Sequence, residues 1–334
     1  MVVQRQSNIE LCRLASILLV MLVHTTGQSL GHNVSFGVHL LEGFSIIGVN
    51  VFILITGYFS ASPKKTSLIN LAFICFFWML VKVVCRYYFG EGINHKYAFF
   101  ITSSNWFIPS YIALLFVAPM LNSFCNLVRK KILWVGVASL LLIELWFDWL
   151  PPFPAVKLGT QNGYSVFSFM ILYLMARAIR LYGLPRWFKK ACPLIYIMCS
   201  FILAMVAHAF VRSGHLEIVR FSFWFAYTNP LVILSSVAFL MMFEQLHVQS
   251  KFINHIAKST LACLLGHTAI FFLYTKQFRF LYEHFDGLLI VGYWALAIMI
   301  VFVSSVLVDQ LRLLLWRPMN NWLKNHIKTD LIFG

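Results

Sequence analysis

The segment Asn8–His24, NIELCRLASILLVMLVH, has an arginine near its start and a histidine at its end, with apolar or small residues between Arg13 and His24. An α-helix turns about 100° per residue, so the step of eleven residues from Arg13 to His24 returns to within about 20° of the same face. The two residues are therefore predicted to share one stripe of a membrane helix, roughly 16 Å apart along its axis. That distance is about half the hydrocarbon thickness of a bilayer, and ionisable groups at such depth usually mark a path or a site.

The composition of the whole chain extends this prediction to an all-α, polytopic integral membrane protein. Hydrophobic residues make up 60% of the 334 residues and charged residues only 11%, whereas soluble domains average about 25% charged residues. A helix needs about 20 apolar residues to cross a bilayer, which gives about ten transmembrane helices and no inserted soluble domain. The predicted spans are residues 9–30, 43–60, 68–89, 105–125, 132–149, 163–182, 191–211, 221–243, 256–275 and 287–311.

The basic residues between the predicted spans determine the orientation. Sixteen lie on the side of the N-terminus, namely Arg5, Lys64, Lys65, Arg129, Lys130, Lys131, Arg180, Arg186, Lys189, Lys190, Lys251, Lys258, Arg312, Arg317, Lys324 and Lys328. Six lie on the opposite side, namely Lys96, Lys157, Arg212, Arg220, Lys276 and Arg279. The positive-inside rule then places both termini in the cytoplasm. The same asymmetry explains most of the net charge of +15, so no nucleic-acid partner is predicted.

The chain is predicted to form one membrane domain over residues 1–311, followed by a basic amphipathic tail over residues 312–334 on the cytoplasmic surface. The predicted outer loop at residues 31–42 carries His39 and Glu42. None of the seven cysteines forms a C-x-x-C pair, so neither a zinc site nor a disulfide framework is indicated.

Three stretches resemble the sequence signatures of the acyltransferase-3 family of integral membrane acyltransferases. The first is an arginine and a histidine separated by ten residues in the first helix, here Arg13 and His24. The other two run from Asn105 through Trp106, Phe107, Tyr111 and Pro119 to Asn122, and from Ser259 and Thr260 to Gly266 and His267. The resemblance covers nearly the whole chain, with two departures. The loop after the second span offers Lys64 and Lys65 where many members carry Arg-x-x-Arg, and Leu264 replaces a tyrosine.

The resemblance implies a glycan-modifying membrane O-acyltransferase in a bacterial cytoplasmic (inner) membrane. It would move an acyl group, above all acetyl, from cytoplasmic acetyl-CoA to a hydroxyl of a cell-surface or exported polysaccharide, or of its lipid-linked precursor. Acyl-CoA is thus expected as a co-substrate, and no permanently bound cofactor or metal is expected. The other expected partners are the glycan or lipid-linked oligosaccharide acceptor and the membrane lipids.

The same resemblance assigns roles in the first helix. His24 is expected to act as general base toward the acceptor hydroxyl, since imidazole titrates near neutral pH; a buried histidine bonded to a carbonyl is the alternative. Arg13 is expected to bind the phosphates or the pantetheine of coenzyme A, or else to extend to the cytoplasmic headgroups. Glu10 lies one turn before Arg13 and would either orient it or form an ordinary exposed ion pair with it.

Eight further residues are expected to bind donor or acceptor. Lys64 and Lys65 would hold the donor phosphates, as point charges rather than as bidentate forks. Lys82 and Arg86 lie four residues apart on one helical face. They would either bind an anionic sugar or a lipid pyrophosphate, or extend outward to the headgroups. The last four would support binding and catalysis or simply pack: Trp106, Tyr111, Ser259 and His267.

A transporter or flippase for a lipid-linked sugar is the rival function, with His24, Lys82 and Arg86 as substrate or proton sites. Transporters often show two inverted halves with broken helices, and this sequence shows no matching halves. A non-catalytic membrane partner of a glycan-assembly complex is a third possibility. His208 and His284 are taken as residues without a functional role.

Overall fold

The computed structural model describes residues 6–31, 34–90, 106–149, 161–219, 223–285 and 287–326, and the regular structure over these residues is helical. The helices are α1 (Ser7–Thr25), α2 (Gly27–Leu30), α3 (Phe36–Ser45), α4 (Gly48–Tyr58), α5 (Lys65–Tyr88), α6 (Phe107–Leu127), α7 (Lys130–Trp149), α8 (Val166–Tyr182), α9 (Arg186–Arg212), α10 (Pro230–Glu244), α11 (Lys251–Ile256), α12 (Thr260–Ala269), α13 (Phe271–His284) and α14 (Gly287–His326). Short 3₁₀ turns lie at Gln161–Gly163 and Ala257–Ser259. Two predicted outer loops, at residues 90–104 and 150–162, lie mostly outside the described residues, as do the last eight residues of the predicted tail.

Several helices in the described part of the chain are candidates for membrane spans. Six segments are long and apolar enough to cross a bilayer: Ser7–Thr25, Phe36–Tyr58, Lys65–Tyr88, Phe107–Leu127, Arg186–Arg212 and Leu289–Leu323. Helix α10 is apolar but shorter. The all-helical membrane class is therefore confirmed over the described residues, whereas the count of ten spans is not.

The first span is shorter than predicted because polar side chains end α1 at Thr25. The Thr26 backbone leaves the helical region, and the Thr25 and Thr26 hydroxyls donate to the Leu22 carbonyl at 2.8 and 3.3 Å. Residues 27–30 then form the separate short helix α2. Side-chain hydroxyls that bond nearby carbonyls compete with helix continuation in this way.

The prediction of an outer loop over residues 31–42 is wrong for its second half. Residues from Phe36 onward form α3, and His39 and Glu42 are fully buried in it. Their spacing of three residues brings both side chains to one helical face, where they pair with each other. A charged residue in this segment therefore marks an interior face rather than a loop.

The eighth predicted span begins later than expected, at Pro230. Asn229 caps α10, and its side-chain oxygen accepts a hydrogen bond from the Leu231 backbone N–H at 2.8 Å. Proline at the first helical position has no N–H that would need a partner, so it favours a helix start at this point. The preceding residues Phe225–Thr228 are buried without forming a helix.

The chain forms two compact units. Unit 1 consists of Met1–Ala61 with Ser110–Asn254, and unit 2 of Ser62–Pro109 with His255–Gly334. In unit 1, α4 packs against α1, α8 and α10, and nearly all of its residues are buried. In unit 2, α12 and α14 pack against each other and against α5.

The last helix is continuous across the predicted boundary at residue 311. Helix α14 extends to His326, and Arg312 is buried in it, paired with Asp309 and bonded to Asn70. The predicted division into a domain over residues 1–311 and a surface tail stays a prediction. The ninth predicted span, in contrast, is divided into α12 and α13 at Ile270.

Gly57 lets α4 approach α8 closely, so its replacement provides a test of this packing. A Cβ atom at Gly57 would lie 2.6 Å from the Tyr173 carbonyl oxygen and 2.9 Å from its Cα, and backbone atoms cannot rotate away. We expect Gly57→Ala to lower the free energy of unfolding by about 1–3 kcal/mol, as overpacking does. Thermal unfolding in detergent measures this loss.

Gly136→Ala is the matched control, because a Cβ at Gly136 in α7 meets no atom within 4 Å. Alanine is the better helix former, so this variant should be as stable as the parent or more so by about 0.5–1 kcal/mol. Equal unfolding temperatures for the two variants would contradict the close approach of α4 and α8.

Candidate active site

His24 lies in the last turn of α1, half-buried, with its ring oriented by its own helix. Its Nδ1 is 2.7 Å from the Val20 carbonyl oxygen. A carbonyl oxygen only accepts hydrogen bonds, so Nδ1 must carry the proton and donate it. In the neutral ring, Nε2 then holds the lone pair, which is the state that a general base requires.

The backbone around His24 is held by hydroxyl groups and by close helix packing. The Ser29 hydroxyl donates to the His24 carbonyl at 3.1 Å, and Thr26 donates to Val23 at 3.2 Å. Gly48 brings α4 against α1, since a Cβ there would lie 2.7 Å from Val20, the residue that orients the imidazole. The position of the ring is therefore set by neighbours on three elements.

Arg13 and Glu10 form an ion pair on the same helix. Nη1 of Arg13 donates to Oε2 of Glu10 at 3.0 Å, and 29% of the Arg13 side chain is exposed against 11% for Glu10. The contact expected from their spacing is present, and the carboxylate fixes the direction of the guanidinium. The four remaining N–H groups of an arginine can still donate to a ligand, so the pair is compatible with anion binding.

Asn122 connects three elements of unit 1 at the end of α4. Its Nδ2 donates to the Ala61 carbonyl at 3.1 Å, and its Oδ1 accepts from the Tyr173 hydroxyl at 2.8 Å. Eleven residues before Asn122 on α6, the Tyr111 hydroxyl lies 3.5 Å from Thr56 Oγ1. Tyr111 and Asn122 of the predicted signature thus both connect α6 to the C-terminal end of α4.

The predicted basic residues of unit 2 all lie on or beside α5. Lys64 and Lys65 are exposed at its start, and Lys82 and Arg86 are half-buried on one face near its end. Trp106 precedes α6, and its ring meets that of the neighbouring Phe107 at 6.0 Å between centroids.

His267 of unit 2 repeats the geometry of His24. It is buried in α12, and its Nδ1 is 3.1 Å from the carbonyl of Cys263, four residues earlier. Ser259 is also buried, and its hydroxyl accepts from Gln310 at 3.5 Å. Both are interior residues of unit 2.

Comparison with known protein families gives a match over residues 6–309 to the acyltransferase-3 model, described as an acyltransferase domain. The chain belongs to the acyltransferase-3 family. No curated protein and no solved structure matches it. Together with the apolar helices, membership in the acyltransferase-3 family makes the chain a membrane acyltransferase.

The predicted residues of this acyltransferase-3 member divide between the two units. His24, Arg13, Glu10 and Tyr111 belong to unit 1, and the other seven belong to unit 2. Direct contact is observed between Arg13 and Glu10. The roles assigned to these residues stay predictions.

Sequence reasoning missed the polar residues that the structure buries. Among those without a predicted role are His39 and Glu42 in α3, Glu144 in α7, and Asp309 with Arg312 in α14. For the pairs His39–Glu42 and Asp309–Arg312, the available signal was the spacing of three residues within an apolar run, which places both side chains on one helical face.

The geometry of His24 predicts one tautomer, with hydrogen on Nδ1 and a lone pair on Nε2. ¹⁵N-histidine NMR of the detergent-solubilised protein tests this, with His24→Gln identifying the signal by difference. We expect a pyridine-type Nε2 resonance and a pyrrole-type Nδ1 resonance, because the Val20 carbonyl can only accept. The reverse assignment would show that Nε2 carries the proton and would contradict its proposed role as the general base.

Proposed function

We propose that this membrane acyltransferase transfers an acetyl group from cytoplasmic acetyl-CoA to a hydroxyl of a cell-surface or exported polysaccharide, or of its lipid-linked precursor. The observation that supports this most is the orientation of His24, whose Nδ1 is bound to the Val20 carbonyl. Its Nε2 is then the nitrogen that can accept the proton of a hydroxyl. Arg13 lies on the same helix, eleven residues away, as an anion-binding group.

In the proposed reaction, Nε2 of His24 takes the proton of the acceptor hydroxyl while that oxygen attacks the thioester carbonyl carbon. A C–O bond forms, the C–S bond breaks, and the coenzyme A thiolate leaves with the electron pair of that bond. The imidazolium then returns the proton to the thiolate. Holding donor and acceptor together lowers the entropic part of the barrier, and proton removal contributes typically about 10²–10⁴ in rate.

The donor is proposed to bind through cationic side chains. Arg13, oriented by Glu10, would bind the phosphates or the pantetheine, and an arginine–phosphate contact is charge-assisted and directional. Lys64 and Lys65 would add point charges toward the phosphates. Their exposure at the start of α5 is consistent with a soluble donor that approaches from the cytoplasm.

The acceptor is proposed to approach from the opposite face. Lys82 and Arg86 would bind an anionic sugar or a lipid pyrophosphate, and Trp106, Tyr111, Ser259 and His267 would support binding and catalysis. The excess of basic residues on the side of the termini supports an orientation with both termini in the cytoplasm of a bacterial inner membrane.

His24→Gln tests the proposed base. Glutamine keeps much of the size and hydrogen bonding of histidine but cannot take a proton at neutral pH. We expect this variant to fold and to bind coenzyme A, yet to transfer acetyl groups about 10²–10⁴ times more slowly. Mass spectrometry of surface glycans and transfer of labelled acetyl groups in membrane vesicles measure the loss.

His284→Gln is the matched control, because Nδ1 of this exposed histidine also contacts the carbonyl four residues earlier, at 2.9 Å. It should keep the parent rate. A well-folded His24→Gln protein that acylates at the parent rate would exclude the base. Loss of unmodified glycan from the surface, with no acyl mass in the parent strain, would indicate a transporter instead.

Arg13→Ala tests the donor site. A hydrogen bond to a charged group contributes about 1.5–3 kcal/mol, so we expect coenzyme A to bind roughly 10–100-fold more weakly. Lys64→Ala with Lys65→Ala should weaken binding further. The dissociation constant for coenzyme A, measured on the purified protein by calorimetry, gives these values.

Arg186→Ala is the control for this series, since Arg186 is an exposed arginine at the start of α9. It should leave coenzyme A binding unchanged. If Arg13→Ala binds coenzyme A as the parent does, Arg13 only extends to the headgroups and the phosphate site lies elsewhere.

A further inference from the structure

A second polar cluster lies where α3 crosses α9, both of them in unit 1. His39 and Glu42 are fully buried in α3, and Nδ1 of His39 is 3.3 Å from Oε2 of Glu42. From α9, the His208 ring approaches that of His39 to 5.8 Å between centroids. Ser200 lies at the crossing itself, against Gly43. We name His39, Glu42 and His208 the α3–α9 cluster.

Four polar atoms at this crossing have no hydrogen-bond partner in the described part of the chain. They are His39 Nε2, Glu42 Oε1, Ser200 Oγ and His208 Nδ1. Leaving a buried polar atom unsatisfied costs free energy, so several at one place require an explanation. Ionisable residues inside membrane-spanning segments indicate a functional site by default.

The chemistry of these atoms defines the ligand that would satisfy them. The Nδ1–H of a neutral His39 donates to the Glu42 carboxylate, so His39 Nε2 and Glu42 Oε1 are both acceptors. The ligand must therefore present hydrogen-bond donors. Phe36 adds an aromatic ring, which lies 5.7 Å from the His208 ring. Adjacent acceptors beside an aromatic face suit an uncharged molecule with neighbouring hydroxyl groups.

The cluster lies at the end of unit 1 where α1 ends. Helix α3 begins eleven residues after Thr25, and α1 and α3 pack against each other. Ser35, one helical turn before His39, and Gly37 are exposed at the start of α3, so the cluster lies about one turn from exposed residues. Phe36, the first residue of α3, packs its ring edge-on against the ring of His208.

We propose that the α3–α9 cluster is a binding subsite for the hydroxyl groups of a sugar. Resting on the proposed function, this subsite holds the acceptor glycan at the same end of unit 1 as His24. Glu42 and His39 accept hydrogen bonds from neighbouring hydroxyls, and His208 binds the next hydroxyl or the ring oxygen.

Saturation-transfer NMR on the purified protein tests the subsite without any acyl transfer. The probes are free glucose, galactose and N-acetylglucosamine, with glucosamine as a cationic comparison. We expect transfer to at least one uncharged sugar, and a loss of about tenfold or more in affinity in Glu42→Gln and in His208→Gln. His208 is only half-buried, so we expect His208→Gln to fold even if Glu42→Gln folds poorly.

Glu144→Gln is the matched control. Glu144 is a carboxylate of unit 1 that is only 2% exposed, and its Oε1 also lacks a partner in the described residues, but it lies on α7. It should bind the sugar as the parent does. Equal effects of Glu42→Gln and Glu144→Gln, no transfer to any uncharged sugar, or preference for glucosamine would each overturn the subsite.

Acetyl transfer to the best-bound sugar separates this proposal from the proposed function. If the parent transfers acetyl groups, Glu42→Gln should raise the KM for the sugar about tenfold or more and leave the affinity for coenzyme A unchanged. An unchanged KM would overturn the subsite and leave the acyltransferase function standing. If the parent acylates neither a free sugar nor the surface glycans, but sugar binding is lost in Glu42→Gln, the subsite stands and the proposed acceptor class fails.

Discussion

A hydrocarbon layer offers no hydrogen-bond partners, so polar groups that enter it have to be satisfied by the protein itself. Within the described residues, this chain meets much of that demand inside single helices. The contacts are the ion pairs Arg13–Glu10 and Arg312–Asp309, the hydrogen bond from His39 to Glu42, and the ring-to-carbonyl bonds His24–Val20 and His267–Cys263. Each joins residues three or four apart, which share a helical face. A helix can therefore pair its charged side chains and orient its histidine rings before it packs against other helices.

Bonds between helices occur mainly where a helix ends, because the backbone there has unsatisfied groups. Asn122 donates to the Ala61 carbonyl just beyond α4, and Asn50 donates to the Tyr227 carbonyl just before α10. Close packing also contributes, as where Gly57, the next-to-last residue of α4, lies against the backbone of Tyr173 in α8. The fixed position of His24 follows from both effects, since its own helix orients the ring and neighbouring ends hold the backbone.

The sequence was sufficient for the membrane class, for the family and for the contact between Arg13 and Glu10, since these depend on composition and local spacing. It was not sufficient for α3, because His39 and Glu42 look like loop residues when hydropathy alone is considered. Their burial depends on α9, which lies about 150 residues further along the chain. The end of α1 at Thr25 was missed for a different reason, since hydroxyl groups can either line a helix or terminate it.

The buried pair Arg312–Asp309 in α14 indicates that the folded protein needs residues beyond the end of the family match. The family match ends at residue 309, yet Nη2 of Arg312 donates to the Asp309 carboxylate at 3.0 Å and Nη1 of Arg312 donates to Asn70 at 3.3 Å. A shortened protein ending at residue 309 would lose the cation that pairs with the Asp309 carboxylate and the bond from that cation to Asn70. Removing one partner of a buried pair costs about 3–5 kcal/mol, a large part of the stability of an ordinary domain. Truncations and fusions of this enzyme therefore have to retain the segment through Arg312.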